Sequence, residues 1–145
     1  LLGQSPQQVG KKAVDFIKNY ADKFHHAKEE DILFKELCKE ENEKNMHCNP
    51  VEQMLYEHDI GRGFVKEILE GMEEKDKRKV ISGMMGYASL IKEHIGKEDD
   101  ILYPMSEEAL DKKTKNEMEK RFVEVNKRRK NQSEKYVAFA KELSK

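Results

Sequence analysis

The segment "HHAKEEDILF", residues 25–34, lies within a long amphipathic stretch and contains two histidine–glutamate pairs, each with a spacing of four residues. A second segment, "HIGKEDDILY", residues 94–103, begins 69 positions later (94 − 25) and repeats nearly the same order of residue types. Residues four apart lie on one face of an α-helix, so each segment can direct an imidazole and a carboxylate at one point. The repeat therefore predicts two helices that carry matching polar pairs.

Apolar residues at intervals of three and four predict helices along most of the chain. The predicted helix starts are Pro6, Pro50, Asp76 and Asp111. Ser5 and Asn49 precede two of these starts as capping residues. The first helix is expected to end near Lys39, before the polar connector "EENEKNMHCN" (40–49), and Pro104 is expected to end the third helix. The pattern predicts an all-α protein, an up-and-down four-helix bundle, with residues 1–145 as one domain.

Composition and charge restrict the function classes. The 28 basic and 29 acidic residues give a formal net charge of −1, which leaves no basic face for nucleic acid or for a membrane surface. No apolar run approaches the roughly 20 residues that span a bilayer, and the N-terminus lacks a signal-peptide layout. We interpret Cys38 and Cys48 as reduced thiols. We therefore expect a cytoplasmic protein that binds neither nucleic acid nor membranes.

Polar residues interrupt the apolar stripes of the predicted core. His58 lies on the stripe of the second helix, and His94 and Glu98 lie on the stripe of the third, shortly before Ile101. A buried carboxylate is costly unless it is paired or coordinated. For His58 alone a hydrogen-bonded core histidine would be the simpler interpretation, but the combination indicates that a cation neutralises these groups.

The first helix offers two candidate pairs, His25 with Glu29 and His26 with Glu30. Counting back by helical turns from His25 meets apolar residues, whereas counting back from His26 meets aspartates and an asparagine. Counting forward favours neither pair. The 69-residue repeat aligns the first pair with the pair in the third helix. We therefore assign His25 and Glu29 to the metal, and we expect His26 and Glu30 at the surface or behind the ligands.

The predicted metal ligands are His25, Glu29, His58, His94 and Glu98. Carboxylates can bridge two ions, and imidazoles suit iron, manganese and zinc. The stripes carry no cysteine, which argues against a thiolate zinc site or an iron–sulfur cluster. We interpret Arg62 as a salt-bridge partner of a carboxylate. No separate nucleophile or acid–base group is visible, so the sequence does not predict a conventional enzyme.

Three segments together resemble the signature of hemerythrin-like proteins, the HHE cation-binding domains, in their order and spacing. They are "HHAKEEDILF", "MLYEHDIGR" (54–62) and "HIGKEDDILYP" (94–104). The resemblance covers roughly residues 10–110. It implies a four-helix bundle around a non-haem di-iron centre, in which Glu29 and Glu98 bridge the metals. His25, His58 and His94 would then be terminal ligands.

The chain departs from this family pattern in two ways. The family normally supplies a further histidine from a helix that precedes "HHAKEE", and we expect that helix to be absent here or replaced by the C-terminal helix, which has no histidine. His26, His47, a water or a neighbouring chain would then complete the ligands, or the site would hold one metal. Arg62 also stands where oxygen-carrying hemerythrins have a histidine, which favours the wider bacterial and archaeal group over simple oxygen carriage.

The leading hypothesis is a cytoplasmic non-haem iron protein with two iron ions, which senses oxygen, nitric oxide or redox state or handles iron. One iron, zinc or manganese is the alternative content, and any turnover would be that of a slow oxidase, peroxidase or reductase. A second hypothesis is a metal-stabilised binding or regulatory module without redox chemistry, and a third is a metal-free bundle for assembly. Loss of the leading helix would expose an apolar groove, which predicts a homodimer.

Overall fold

The computed structural model describes residues 6–46 and 50–143, and within them six helices and no strand. The helices are α1 (residues 6–37), α2 (Glu40–Glu43), α3 (Val51–Glu74), α4 (residues 77–109), α5 (Lys112–Arg128) and α6 (Lys130–Leu143). In these same ranges, no helix combines the length and the apolarity that crossing a membrane requires. The predicted all-α class is confirmed, although the polar connector contains the short helix α2.

The long helices form an up-and-down bundle. Val14, near the start of α1, packs in one apolar cluster with Val65 of α3, whereas Leu33, near the end of α1, packs in a second cluster with Met54 of α3. These contacts make α1 and α3 antiparallel. Met84, in the N-terminal part of α4, packs against the first cluster. Helix α4 therefore runs parallel to α1.

The C-terminal helices occupy the fourth position of the bundle. Met118 of α5 belongs to the same cluster as Leu33 of α1 and Leu102 of α4. Tyr136 of α6 donates a hydrogen bond of 3.0 Å to Asp15 at the other end of α1. The predicted last helix therefore runs antiparallel to α1, but it is interrupted at residue 129. The groove that a missing leading helix would leave is covered by helices of the same chain.

Two of the predicted helix starts are confirmed, and each carries a capping side chain. Asp76 accepts hydrogen bonds from two N–H groups in the first turn of α4, at 2.9 and 3.1 Å. Asp111 accepts one from the N–H of Thr114 at 2.7 Å. Each bond satisfies a donor that the first turn of a helix leaves unpaired. Ser5 and Asn49 lie outside the described residues, and their capping stays a prediction.

The expectation that Pro104 ends the third helix is wrong. Helix α4 passes through Glu98–Leu102 and Tyr103–Ala109 and ends where Leu110 becomes extended (φ −93°, ψ 133°). Pro104 lies in the first turn of the segment that follows a π-helical turn. The missing N–H of a proline is tolerated in such a first turn.

π-helical hydrogen bonding occurs in three segments, Ile17–His26 and Glu29–Leu33 of α1 and Glu98–Leu102 of α4. A π-helix bonds residue i to residue i+5, so each turn contains an extra residue and the buried face shifts along the sequence. This explains why Ile101, predicted for the core, is 44% exposed, whereas Leu102 is fully buried.

Candidate metal centre

Polar side chains are buried between the two apolar clusters of the bundle. One cluster includes Leu33 and Leu102, and the other includes Val14 and Ile68. In each long helix that contributes, the polar residues lie between the parts that enter these clusters. The buried polar residues of this layer, among those that the structure describes, are His26, Glu29, Glu57, His58, His94 and Glu98, each at most 5% exposed.

Three imidazoles lie against one another at the centre of this polar layer. The rings of His26 and His58 stack, with centroids 4.0 Å apart and an angle of 9° between their planes. The ring of His94 stands edge-on to both, with centroid distances of 5.6 and 4.9 Å. One ring nitrogen of each histidine lies within 4.8 Å of the other two. The three nitrogens are close enough to share one cation.

Carboxylates fix the outer nitrogens of two of these rings. His58 Nδ1 donates to Glu30 Oε1 at 2.8 Å, and His94 Nδ1 donates to Glu57 Oε2 at 2.9 Å. A metal-bound histidine usually donates its second N–H to a carboxylate or carbonyl, which fixes the tautomer and the ring orientation. The Nε2 atoms of His58 and His94 are thereby left as acceptors on the inner side.

Cations at the rim hold both outer carboxylates. Arg62 donates to Glu30 at 2.7 Å and pairs with Asp22 at 2.8 Å. Lys97 donates to Glu57. The predicted salt-bridge role of Arg62 is confirmed, and Glu30 lies behind His58 rather than in the centre. Each imidazole is therefore oriented by a chain of contacts that ends at the surface.

Glu29 presents its two oxygens to different partners. Its Oε2 lies 3.6 Å from His58 Nε2, whereas its Oε1 accepts the hydroxyl of Tyr103 at 2.8 Å and lies 3.9 Å from His25 Nε2. Separate oxygens that face two groups of donors are the arrangement that a bridging carboxylate needs.

Glu98 also lies between two histidines. Its Oε1 is 3.2 Å from His94 Nε2 and 3.9 Å from His25 Nε2. Neither His94 Nε2 nor Glu98 Oε1 has a hydrogen-bond partner, so their contact at 3.2 Å is not a hydrogen bond. One donor atom each from His25, Glu29 and Glu98 lies within 4.8 Å of the others, which defines a second possible cation position beside the three imidazoles.

Buried donor atoms without a hydrogen-bond partner concentrate at this one place. Within the described part of the chain they are His26 Nδ1, Glu29 Oε2, His58 Nε2, His94 Nε2 and Glu98 Oε1. An unpaired buried polar atom costs roughly 1–3 kcal/mol, and native proteins contain few of them. All five belong to residues of the two donor groups, and cations bound at these groups would give the unpaired atoms the partners that they lack.

Burial also sets the protonation of the metal-free site. Burial lowers the pKa of His26 to about 2 and lowers that of His58, so both imidazoles are neutral. Burial opposes the charging of His94 as well, but the carboxylates beside it outweigh burial and raise its pKa. Burial, followed by the charge of Glu98, raises the pKa of Glu29. A cation would replace the protons on these last groups, since metal ligands bind in their deprotonated forms.

The family follows from a comparison with known protein families. The model of the hemerythrin HHE cation-binding domain matches residues 2–106, which is most of the chain. The chain belongs to the hemerythrin HHE cation-binding family. Comparisons with curated proteins and with solved structures find no match. Family membership and the buried histidine–glutamate cluster together identify the centre of this hemerythrin domain as a cation site.

The hemerythrin domain differs from the sequence-based assignment at the adjacent histidines. The structure buries and brings together four of the five predicted ligands: Glu29, His58, His94 and Glu98. The side chain of the fifth, His25, is 45% exposed, although its Nε2 lies 3.9 Å from each of two carboxylates. His26 is 5% exposed and stacks on a buried histidine, so of its two expected positions, at the surface or behind the ligands, the surface position is excluded. His47, another candidate, lies outside the described residues.

The physical reason for this difference is the π-helical segment Ile17–His26. The choice between the two histidines assumed 3.6 residues per turn, and the extra residue per turn brings His26 to the inner face. The pair of adjacent histidines is itself the signal that could have kept both as candidates. In this hemerythrin domain, His26 belongs to the group of three histidines, and His25 belongs to the neighbouring group with the two glutamates.

Cavities approach the hemerythrin centre from two sides. A cavity of about 260 Å³ ends on His26 and His58 and is bordered by Arg62. A second cavity, of about 310 Å³, ends on His25 and Glu29. The two donor groups are therefore reached by different routes.

Proposed function

We propose that this protein is a non-haem iron protein that holds a carboxylate-bridged pair of iron ions and uses them to sense oxygen, nitric oxide or redox state, or to handle iron. The observation that carries the proposal is that five buried donor atoms without hydrogen-bond partners lie in the two neighbouring donor groups of a hemerythrin-family bundle. Neutral imidazoles and carboxylates are the ligands that non-haem iron commonly takes.

Two groups of donors support two ions. His26, His58 and His94 would hold one ion, and His25, Glu29 and Glu98 would hold the other. The short distances from Glu29 to His58 and from Glu98 to His94 support carboxylates shared between the two positions. Manganese or zinc would fit the same donor types, so iron rests on family membership as well as on ligand chemistry.

The protein's part in the chemistry is to orient donors and restrict water. Bound iron would supply one-electron chemistry and a coordination position for a small ligand such as O2 or NO. Glu30 and Glu57 orient the imidazoles, and Tyr103 orients Glu29. The apolar clusters on both sides of the layer restrict the access of water to the two cavities. Any turnover would be slow, as in an oxidase, peroxidase or reductase, and we propose ligand binding as the main activity.

Arg62 supports sensing or iron handling over simple oxygen carriage. Its guanidinium is engaged by Asp22, Asp59 and Glu30 at 2.7 to 2.9 Å, so it closes the rim and supplies no metal ligand. The exposed free thiol of Cys38 fits the cytoplasmic location that we also propose, since reducing conditions keep such thiols unpaired.

A structural cation is the second candidate function. The three buried imidazoles come from α1, α3 and α4, so any ion that they bind joins three helices. Zinc in this position would stabilise a binding or regulatory module without redox chemistry. The homodimer predicted from the sequence is compatible with either function and stays a prediction.

Elemental analysis of freshly purified protein tests the proposal. We expect about two iron ions per chain, an absorption band that changes on exposure to O2 or NO, and loss of iron in His26→Ala, His58→Ala and Glu98→Ala. The exposed neighbour variant Glu93→Ala should keep its iron. A folded protein without metal, or equal iron in all variants, would overturn the proposal. Zinc as the native ion, with no optical response, would favour the structural role.

A further inference from the structure

The two donor groups differ in burial and in the helices that supply them. His26, His58 and His94 are all buried, and they come from three different helices. In the second group, Glu29 and Glu98 are buried, but the His25 side chain is 45% exposed. This group draws on α1 and α4 alone. The two possible cation positions are therefore enclosed to very different degrees.

The open side of the second group faces the C-terminal part of the chain. The cavity of about 310 Å³ that ends on His25 and Glu29 is bordered by Met118 and Phe122 of α5. Helix α5 occupies the fourth position of the bundle and contributes apolar side chains here. Residues 112–128 contain no histidine, and none of their three glutamates lines this cavity. The second cation position thus borders a solvent-connected cavity where a fourth helix could otherwise have supplied a ligand.

We propose, on the basis of the proposed function, that the His25–Glu29–Glu98 position binds an exchangeable divalent cation such as Fe²⁺, which enters and leaves through the cavity beside Phe122. The cation on His26, His58 and His94 is retained. The protein then holds one resident ion and one transferable ion, and it can deliver or acquire iron without dismantling its centre.

The ligand geometry gives a physical reason for unequal retention. Release from the three imidazoles requires the ion to leave buried nitrogens and to pass Arg62, which borders the cavity beside His26 and His58 and is held by ion pairs with Asp22 and Glu30. Release from the second position requires a rotation of His25, whose ring is half in solvent, and the two glutamates can keep their contacts with the resident ion. Lys28 and Lys115 border the cavity, and Lys115 pairs with Glu107 of the same lining at 2.6 Å, so Lys28 is left to favour the approach of an anionic chelator.

Chelator-driven release measures the exchange directly. Protein loaded with Fe²⁺ under anaerobic conditions is desalted and mixed with an anionic chelator, and released metal is followed by absorbance while retained metal is measured by elemental analysis. We expect two phases of equal amplitude that differ in rate by roughly tenfold or more, with about one ion per chain left after the fast phase. His25→Ala should lose the fast phase and keep one ion.

A variant that narrows the cavity without removing a metal ligand tests whether the ion leaves through this cavity. Phe122→Trp should slow the fast phase several-fold while both ions still load and the slow phase is unchanged. Val123→Trp, at the adjacent exposed position, should leave both phases as they are. Circular dichroism of each variant verifies that its helices are intact.

Four results would overturn the inference. They are release of both ions in one phase, loss of both ions in His25→Ala, a fast phase that Phe122→Trp leaves unchanged, and a wild-type protein that loads a single ion unaffected by His25→Ala. Each of these results is compatible with iron binding as such. A wild-type protein that binds no metal would contradict the proposed function and this inference together.

Discussion

The hydroxyl of Tyr103, on α4, donates a hydrogen bond of 2.8 Å to Oε1 of Glu29, on α1. The hydrogen bond fixes which oxygen of the carboxylate turns towards His58 and which turns towards His25. Partners that hydrogen-bond to metal ligands typically contribute 10- to 100-fold to metal affinity, in order-of-magnitude terms. Tyr103 is therefore expected to act as a positioning residue for the shared carboxylate.

Substitution Tyr103→Phe should weaken metal binding by roughly tenfold while the metal-free protein keeps its helices. The phenyl ring preserves the packing, so the change removes little besides the hydrogen bond. Competitive titration against a chelator of known affinity measures the effect. Tyr56→Phe is the matched control, since Tyr56 is 63% exposed. Equal affinities in both variants would show that Glu29 is oriented without Tyr103.

At the residue scale, the sequence could predict the types of donor but not each donor's place. Imidazoles and carboxylates on apolar stripes are visible in the sequence, because burial of such groups demands compensation. The choice between His25 and His26 depended on the number of residues per turn. A local π-helix is a product of tertiary packing and leaves little trace in sequence, so the periodicity argument selected the histidine that is half exposed.

Helices α3 and α4 approach closely because glycine lies between them. A Cβ atom built on Gly83 of α4 would stand 2.8 Å from Ile68 Cγ1 and 3.3 Å from the backbone nitrogen of Ile68 on α3. Contacts this short require the helices to separate or the isoleucine to move. The same two helices carry His58 and His94, whose ring centroids are 4.9 Å apart. The glycine contact thus helps to set the width of the metal centre.

Gly83→Ala should destabilise the protein by about 1–3 kcal/mol, because overpacking outweighs the helix-propensity gain of alanine. Gly63→Ala in α3 is the control, since a Cβ there meets nothing within 4 Å. That variant should gain about 0.5–1 kcal/mol. Urea denaturation measures the change in the free energy of unfolding, which should have opposite signs in the two variants. A stabilised Gly83→Ala protein would mean that α3 and α4 have room to separate freely.

At the element scale, helix starts could be predicted better than helix interiors. Asp76 and Asp111 are local signals, since a side-chain oxygen caps the first turn of its own helix. Continuation through Pro104 depends on the preceding π turn, which the local sequence does not encode. The interruption of the last helix at residue 129 follows no proline or glycine, and it too was not predictable from local rules.

Across the whole molecule, burial of the centre couples folding to protonation. In the folded metal-free protein, burial and the charge of Glu98 raise the pKa of Glu29 to about 8, whereas an unfolded chain loses this proton near 4.5. Burial lowers the pKa values of His25, His26 and His58 below their ordinary 6.5. The carboxylates beside His94 outweigh its burial and raise its pKa above this ordinary value. The folded state therefore binds more protons than the unfolded state above about pH 6.5, through Glu29 and His94, and fewer below it.

The free energy of unfolding of the metal-free protein should consequently be greatest near pH 6.5. Above this value it falls towards about pH 8, because the raised carboxyl pKa stabilises the folded state only while the proton stays bound. Below pH 6.5 it falls because the unfolded chain protonates the three histidines that the folded state keeps neutral. Urea denaturation of chelator-treated protein at a series of pH values measures both slopes.

Substitution of Glu29 tests the cause of the decrease in the free energy of unfolding above pH 6.5. Glu29→Gln has no proton to lose at this position, so its metal-free form should weaken less than the wild type between pH 6.5 and about 8, and the remaining slope belongs to His94, whose pKa is also raised. Metal-loaded wild type should stay level, because the cation replaces the protons on both groups. A metal-free wild type that becomes more stable over this range would show that Glu29 is already ionised without a cation. The five unpaired donors would then need a different explanation from the one that a shared cation provides.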